Sequence, residues 1–136
     1  MNNIIVSSLD YIRIQKQINE ARQKKTIDAV EAEKLMSELN SATVLNPHEI
    51  PGDVVTMNSV VKITFVDSGK QVEFKIVYPE DANFKDKKVS IFSPIATALI
   101  GFRVGDSIEW IVPGGLTKIR IDEIIYQPEA AGDFTL

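Results

Sequence analysis

The sequence predicts an α+β protein, in which an N-terminal antiparallel helical hairpin (a short coiled coil) precedes a C-terminal antiparallel sheet with one short helix. Apolar residues recur at 3-4-3 spacing in the first 45 residues, as in paired helices. From about residue 60, apolar and polar residues alternate, which is typical of strands with one buried face. Between two such strands lies a short apolar stretch with helix-capping residues at both ends.

The hairpin is predicted from two apolar seams. After an extended lead, Ser8 or Asp10 can cap the first helix, and Thr26 or Asp28 can restart the chain as a second one. Asp28 and Glu31 have the spacing of a capping box. The seams share the spacing of a narrow coiled-coil contact and consist of Tyr11, Ile14, Ile18 and Ala21 in the first helix and Ala32, Leu35, Leu39 and Ala42 in the second.

Opposite charge favours pairing of the two arms. Residues 10–25 include five basic and two acidic side chains, whereas residues 26–42 include one basic and four acidic side chains. Exposed ion pairs contribute only about 0.2–1 kcal/mol each, so burial of the seams must contribute more. Each arm spans about 16 residues and, at ~1.5 Å per residue, the hairpin is expected to project roughly 24 Å.

The rest of the chain is predicted to be one sheet domain. Asn46-Pro47 ends the second helix, because the residue before a proline disfavours helical geometry. The expected domains are residues 1–45 as the hairpin, 46–52 as a linker and 53–136 as the sheet domain. Strands are predicted at 61–65, 72–76, 89–92, 107–112 and 118–126, with turns at 67–69, 104–106 and 113–115.

The short helix that starts at Ser93-Pro94 has the clearest local sequence signals of any element. Ser93 can accept a hydrogen bond from an orphan N–H one turn on, and Pro94 suits the first helical position. Gly101 occupies the place of a left-handed C-cap. The helix therefore begins directly after the strand at 89–92 and ends before the turn at 104–106.

Several motifs identify a family. The chain resembles the bacterial transcript-cleavage factors GreA and GreB, and within that family its Rnk branch, the regulators of nucleoside diphosphate kinase. The family motifs are Ser93-Pro94, Ala98-Leu99, Val104-Gly105-Asp106 and Pro113-Gly114-Gly115; those of the branch are residues 53–59, 103–108 and 126–133. The resemblance is strong from residue 53 onward and implies an FKBP-like C-terminal domain, with RNA polymerase as the partner.

The resemblance also implies a docking segment. In Gre factors, the strand end leading into Ser-Pro docks on the rim of the secondary channel of polymerase. The matching residues here are Ser90, Phe92, Ser93 and Pro94. Phe92 stands where GreB-like sequences carry an aspartate, which indicates a more apolar contact. The alternative is that Phe92 belongs to the core and that Ser93-Pro94 serves only as a cap.

The predicted hairpin tip contains Lys24, Lys25, Asp28 and Glu31. The family's cleavage factors carry acidic tip residues that help to hold a catalytic metal. Two carboxylates one helical turn apart can share a cation, but Asp28 can instead cap the second helix while Glu31 complements its dipole. The two lysines and the short arms favour the second interpretation.

Composition narrows the function further. The 136 residues carry a net charge of −4 and contain no cysteine, so thiolate chemistry is excluded and direct DNA binding is not expected. The single histidine, His48, lies in the linker, and no nucleophile elbow or phosphate-binding loop accompanies it. We expect no catalytic residue, metal or cofactor, no enzymatic activity and no membrane association.

The resemblance, with which the composition agrees, implies a monomeric, cytoplasmic regulator of the Rnk type. It would bind RNA polymerase near the secondary channel and compete with Gre factors without stimulating transcript cleavage, and it would affect nucleoside diphosphate kinase levels. A Gre-type cleavage factor with an acidic hairpin tip is the alternative.

Overall fold

The structure is a computed structural model that describes residues 4–112 and 115–134, apart from the side chains of residues 110–112. It confirms the mixed α+β class, with helices first and a mostly antiparallel sheet after them. The helices are α1 (Ser8–Lys24), α2 (Ala29–Ser41), α3 (Pro94–Leu99) and α4 (Pro128–Ala131). The strands are β1 (Ile5–Ser7), β2 (Thr43–Leu45), β3 (Val60–Phe65), β4 (Lys70–Val77), β5 (Lys88–Ser90), β6 (Ser107–Val112) and β7 (Gly115–Tyr126).

The main sheet has the strand order β5-β4-β3-β7-β6. Its register places Ile63 of β3 opposite Val72 of β4 and Ile121 of β7, so the alternating apolar residues share one face. The expectation of a wholly antiparallel sheet is wrong at β5, which pairs parallel to β4. The reason is that residues 78–87 carry the chain back beside Lys75, so that β5 runs in the same direction along the last three residues of β4.

Both hairpin helices have local start signals, but the first differs from the expectation. Ser7 caps α1, because its Oγ accepts a hydrogen bond from the N–H of Asp10 at 2.9 Å. Ser8 and Asp10 are therefore the first and third residues of the helix and not its cap. Asp28 caps α2 as predicted, with Oδ1 accepting from the N–H of Val30 at 2.9 Å.

The two ends of the hairpin are joined by a small parallel sheet. β1 pairs with β2 in a register that sets Ile5 opposite Thr43 and Ser7 opposite Leu45. The sequence predicts the extended lead but not β2. The helix α2 ends at Ser41, one residue before Ala42, the last residue of its predicted apolar seam. Parallel pairing across a long connection leaves no local sequence signal.

The hairpin lies against the sheet and does not project freely. Ile18 and Leu35 are fully buried and belong to the same hydrophobic cluster as Ile91 and Leu99 of the sheet part. Gln17, beyond the middle of α1, donates to both carboxylate oxygens of Glu80, at 3.1 and 3.2 Å. The predicted projection is wrong because the seams cover the sheet part as well as each other.

The segment between hairpin and sheet is ordered by local hydrogen bonds. Residues 47–49 form a single 3-10 turn, capped by Asn46, whose Oδ1 accepts from the N–H of His48 at 3.0 Å. The exposed His48 ring lies 4.1 Å from the ring of Phe134, centroid to centroid. Among the described residues, no helix combines the length and apolar character needed to cross a membrane.

Candidate docking surface

The segment that connects β5 to α3 forms a tight turn, here called the docking turn (Ser90–Pro94). Ser90 accepts two hydrogen bonds that stabilise the turn: its Oγ accepts from the N–H of Phe92 at 3.0 Å, and its carbonyl accepts from the N–H of Ser93 at 2.9 Å. The buried Ile91 anchors it to the sheet, donating its N–H to the carbonyl of Val77 at 2.8 Å. These bonds fix the backbone before the helix begins.

The helix after the turn is capped at both ends. Ser93 Oγ accepts from the N–H of Ala96 at 3.4 Å, and Pro94 fills the first helical position. Thr97 ties the helix back to the turn, because its Oγ1 donates to the carbonyl of Ile91 at 2.9 Å. At the far end the cap is Ile100, whose N–H donates to the carbonyl of Ala96 at 3.0 Å; the predicted cap, Gly101, comes next and has the expected left-handed φ, +84°.

The residues of the docking turn differ in solvent exposure. Pro94 is exposed, whereas Ser90, Phe92 and Ser93 are half-buried. Phe92 packs against the edge of the hydrophobic cluster and leaves part of its ring at the surface. The turn is thus held by hydrogen bonds and exposes Pro94, with no charged side chain between residues 89 and 102.

The tip residues are divided in space. Lys24 and Lys25 are exposed, and Lys25 adopts φ +56° where α1 ends. Asp28 is exposed, with one oxygen engaged as the cap of α2. Glu31 faces the body instead and, with Pro94 of the docking turn, lines a cavity of about 490 Å³. The structure therefore brings one of the four predicted tip residues beside the predicted docking residues.

No described cluster matches a metal site. Within residues 4–112 and 115–134, groups of three or more His, Asp or Glu side chains placed to hold an ion are absent. Of the turn predicted at 113–115, Pro113 and Gly114 lie outside the described residues.

One buried group of contacts, here called the buried acidic joint (Asp10, Thr56, Met57 and Glu129), was not predicted from the sequence. Asp10 is 6% exposed, and its Oδ2 accepts from the backbone N–H of Met57 at 3.2 Å. Burial, and then the nearby Glu129 carboxylate, raise its pKa from 3.8 to about 7. Thr56 Oγ1 donates to Glu129 at 2.7 Å, so the joint links α1, the segment before β3 and α4. Its only sequence signal, an acidic residue near a helix start, is the same as that of a cap.

Comparison with known proteins decides the family. Residues 50–126 match the family described as Transcription elongation factor, GreA/GreB, C-term. The chain belongs to the GreA/GreB family. That match includes β3 to β7, α3 and the docking turn, but it begins after the hairpin.

Two GreA/GreB-family relatives extend the likeness beyond the sheet part. The chain is 40% identical to the Regulator of nucleoside diphosphate kinase of Escherichia coli over 134 residues, which cover 98% of this chain and 96% of that protein. It is 33% identical to Transcription elongation factor GreA of Clostridium botulinum over 108 residues, covering 79% and 68% of the two chains. Both named relatives are regulators or elongation factors.

A solved structure of the family supports the fold. The Prokaryotic transcription elongation factor GreA/GreB from Nitrosomonas europaea superimposes with a TM-score of 0.75 at 38% identity. The superposition covers 91% of this chain and all of that one. The agreement includes the hairpin as well as the sheet, since the sheet part alone would cover much less of the chain.

Proposed function

We propose that this protein is an RNA polymerase-binding transcription regulator of the Rnk type, which docks near the rim of the secondary channel through Ser90, Phe92, Ser93 and Pro94. The observation that carries the proposal is the docking turn: a hydrogen-bonded turn with an exposed proline, inside the region that matches the GreA/GreB family. A preformed turn loses little conformational entropy on binding.

The hairpin supports a regulator that occupies the channel entrance without stimulating cleavage. Its helices have 17 and 13 residues, or about 26 and 20 Å at ~1.5 Å per residue. Much of that length lies against the sheet part of the protein. Gln17 is hydrogen-bonded to Glu80, and Glu31 lines a cavity with Pro94. Asp28 is engaged as a helix cap, and Lys24 and Lys25 supply positive charge at the tip.

Further parts of the proposal follow from the family. The protein would act as a monomer, with a hairpin in residues 1–45, a linker in 46–52 and an FKBP-like domain in 53–136. By excluding Gre factors from a shared site, it would alter transcription and, as the name of the Escherichia coli relative indicates, nucleoside diphosphate kinase levels. Polymerase binding would need no direct contact with DNA.

Binding is tested by measuring the affinity of core RNA polymerase for the purified protein. The double variant Phe92→Asp with Pro94→Ala is expected to weaken binding at least tenfold, since central apolar contacts dominate interface energy. Leu116→Asp is the matched control, because Leu116 is an exposed apolar residue near the opposite end of the strand order. Equal affinity of wild type and double variant, with both folded, would refute the docking turn.

Cleavage is tested on backtracked transcription complexes. The protein alone is expected to leave the transcript intact and, added in excess, to slow GreA-stimulated cleavage. Transcript shortening that disappears in Asp28→Asn with Glu31→Gln would favour the alternative, a cleavage factor with an acidic tip.

A further inference from the structure

A second feature of the sheet part lies outside the docking turn. Between β4, β5 and the loop that joins them is an apolar groove with a volume of about 760 Å³, which is within the usual range of ligand and peptide sites. Its apolar walls come from the sheet, the loop and the first turn of α3: Val72, Phe74, Ala82, Val89 and Ile95. We call it the loop groove.

An exposed aromatic residue stands at the mouth of the loop groove. Phe84 is 97% exposed, although it also lines the groove. Burying such a side chain would contribute about 1.5–3 kcal/mol, which the isolated chain forgoes. Aromatic residues, phenylalanine included, are enriched at protein interfaces relative to the rest of the surface.

The loop holds Phe84 outward by a dense set of hydrogen bonds centred on Asn83. Asn83 exchanges both backbone hydrogen bonds with Lys88, at 3.0 and 2.9 Å, and its Oδ1 accepts from the N–H of Lys85 at 3.0 Å. Its Nδ2 donates to Asp86 at 3.0 Å. The exposure of Phe84 therefore belongs to an ordered turn, and presenting the ring costs little further entropy on binding.

The rim of the loop groove is positively charged. Lys85, Lys87 and Lys88 line it, against a single acidic lining residue, Glu73. Of the three acidic residues in the loop, Asp86 is bonded to Asn83, whereas Glu80 and Asp81 line a different cavity beside α1. This concentration of positive charge stands out in a chain with a net charge of −4.

We propose that the loop groove binds an acidic segment of a partner protein that inserts an apolar side chain beside Phe84. The apolar walls take the inserted side chain, and the three lysines pair with flanking carboxylates. Complementary charge at a rim steers association and sets specificity, while the central apolar contact supplies most of the affinity. The inference stands apart from the polymerase proposal, because it names the partner only by its chemistry.

Two other occupants fit the groove less well. A second copy of this chain would place lysine rim against lysine rim, and juxtaposed like charges oppose association. Single-stranded nucleic acid favours a run of stacking aromatic residues along a basic channel. Here Phe84 is exposed beside an apolar groove, which suits an aliphatic or aromatic side chain of a peptide.

The test uses the full-length protein and three short fluorescein-labelled peptides. The first alternates leucine and phenylalanine with aspartate and glutamate, the second replaces each acid with lysine, and the third replaces each apolar residue with serine. Fluorescence anisotropy is expected to give the first peptide at least tenfold tighter binding than either of the others. Its affinity is expected to fall as salt rises, because exposed charges are screened.

Two variants with matched controls locate the site. Phe84→Ser, and the triple change of Lys85, Lys87 and Lys88 to Ser, are each expected to weaken the first peptide at least fivefold. Their controls are Leu116→Ser, and the double change of Lys24 and Lys25 to Ser, which remove an exposed apolar residue and exposed lysines elsewhere. Melting temperatures of all variants verify folding, and amide chemical shifts of the wild type are expected to move at residues 72–74 and 82–89.

Three outcomes would overturn the proposal. These are equal affinity for the acidic and basic peptides, unchanged affinity in a folded Phe84→Ser variant, and tighter binding of oligothymidine than of the acidic peptide. None of these measurements contains polymerase, so failure here leaves the docking turn untouched, and failure of the docking turn leaves these results standing.

Discussion

The carboxylate of Asp10, in the first turn of α1, accepts a hydrogen bond from the backbone N–H of Met57, 3.2 Å away and 47 residues along the chain. This bond joins the root of the hairpin to the segment that leads into the sheet. Because the site is buried and the carboxylate of Glu129 is near, the charged form of Asp10 is disfavoured and its pKa rises to about 7.

Asp10→Asn is expected to stabilise the protein at pH 8 but much less at pH 5. The folded chain holds the Asp10 proton more tightly than the unfolded chain, so this contribution is complete below about pH 4 and is lost as pH rises through 7. Asparagine keeps an acceptor for Met57 and cannot ionise. The gain at pH 8, on the order of 1–4 kcal/mol, is measured by urea unfolding at the two pH values.

The exposed carboxylate of Asp81 provides the control for that experiment. Asp81→Asn is expected to change the free energy of unfolding by less than about 0.5 kcal/mol at either pH, as surface substitutions usually do. A pH-independent difference between wild type and Asp10→Asn would contradict the buried acidic joint.

Gly101→Ala is expected to destabilise the fold strongly. A Cβ added at Gly101 would lie 2.6 Å from Cβ of Ile4, and the backbone there has φ +84°. Gly132→Ala is the matched comparison, since its φ is +76° but nothing lies within 4 Å of an added Cβ. Backbone strain of about 1–3 kcal/mol is common to both, so the difference in their melting temperatures measures the steric clash alone. Similar losses in both variants would show that Ile4 moves away without cost.

Gln127→Leu is expected to loosen the C-terminal helix. The Nε2 of Gln127 donates to the carbonyls of Pro51 and Val54, at 2.8 and 2.7 Å, and its Oε1 accepts from the N–H of Ala130 at 3.0 Å. Leucine has similar size but leaves these partners without this side chain, at a cost of roughly 2–4 kcal/mol. Chemical denaturation measures the loss, with the exposed Gln71→Leu as control.

Leu35→Ala tests whether the hairpin is part of the main core. Leu35 is fully buried on α2 in the hydrophobic cluster that includes sheet residues, so its truncation is expected to cost about 2–5 kcal/mol in a single cooperative transition. Val30→Ala, on the same helix but 70% exposed, is expected to change stability by under ~0.5 kcal/mol. A separate early transition for Leu35→Ala, seen by circular dichroism, would indicate that the hairpin unfolds independently.

Local chemistry made much of the fold predictable. Ser93-Pro94 begin α3 as expected, because caps act through neighbouring backbone groups; the C-cap is Ile100, and Gly101 follows it with the predicted left-handed φ. The β3–β4 hairpin was also predictable, because apolar and polar residues alternate in both strands and a turn precedes Lys70. Residues of the docking turn were identified by the family resemblance, and the structure adds the hydrogen bonds that hold the turn.

Features that depend on distant parts of the chain were not predictable. The pairing of β1 with β2 and the bond between Asp10 and Met57 join residues far apart in sequence, for which no periodic pattern exists. Phe84 lies in a loop whose charged composition predicts only solvent exposure. Phe84 lies beside an apolar groove because the loop returns the chain to pair β5 parallel to β4. That arrangement depends on strand topology and has no local sequence signal.

The parallel pairing of Ile5 with Thr43 has a consequence for how such proteins diversify. It sets the two strands that flank the hairpin about 4.8 Å apart, with the exit at Thr43 opposite Ile5, two residues before the entry at Ser7. A module attached through two adjacent points can be lengthened or trimmed by matched turns in both arms while its seat on the sheet stays the same. In this architecture the length of the two helices can therefore change without a change in the strands that attach them to the rest of the protein.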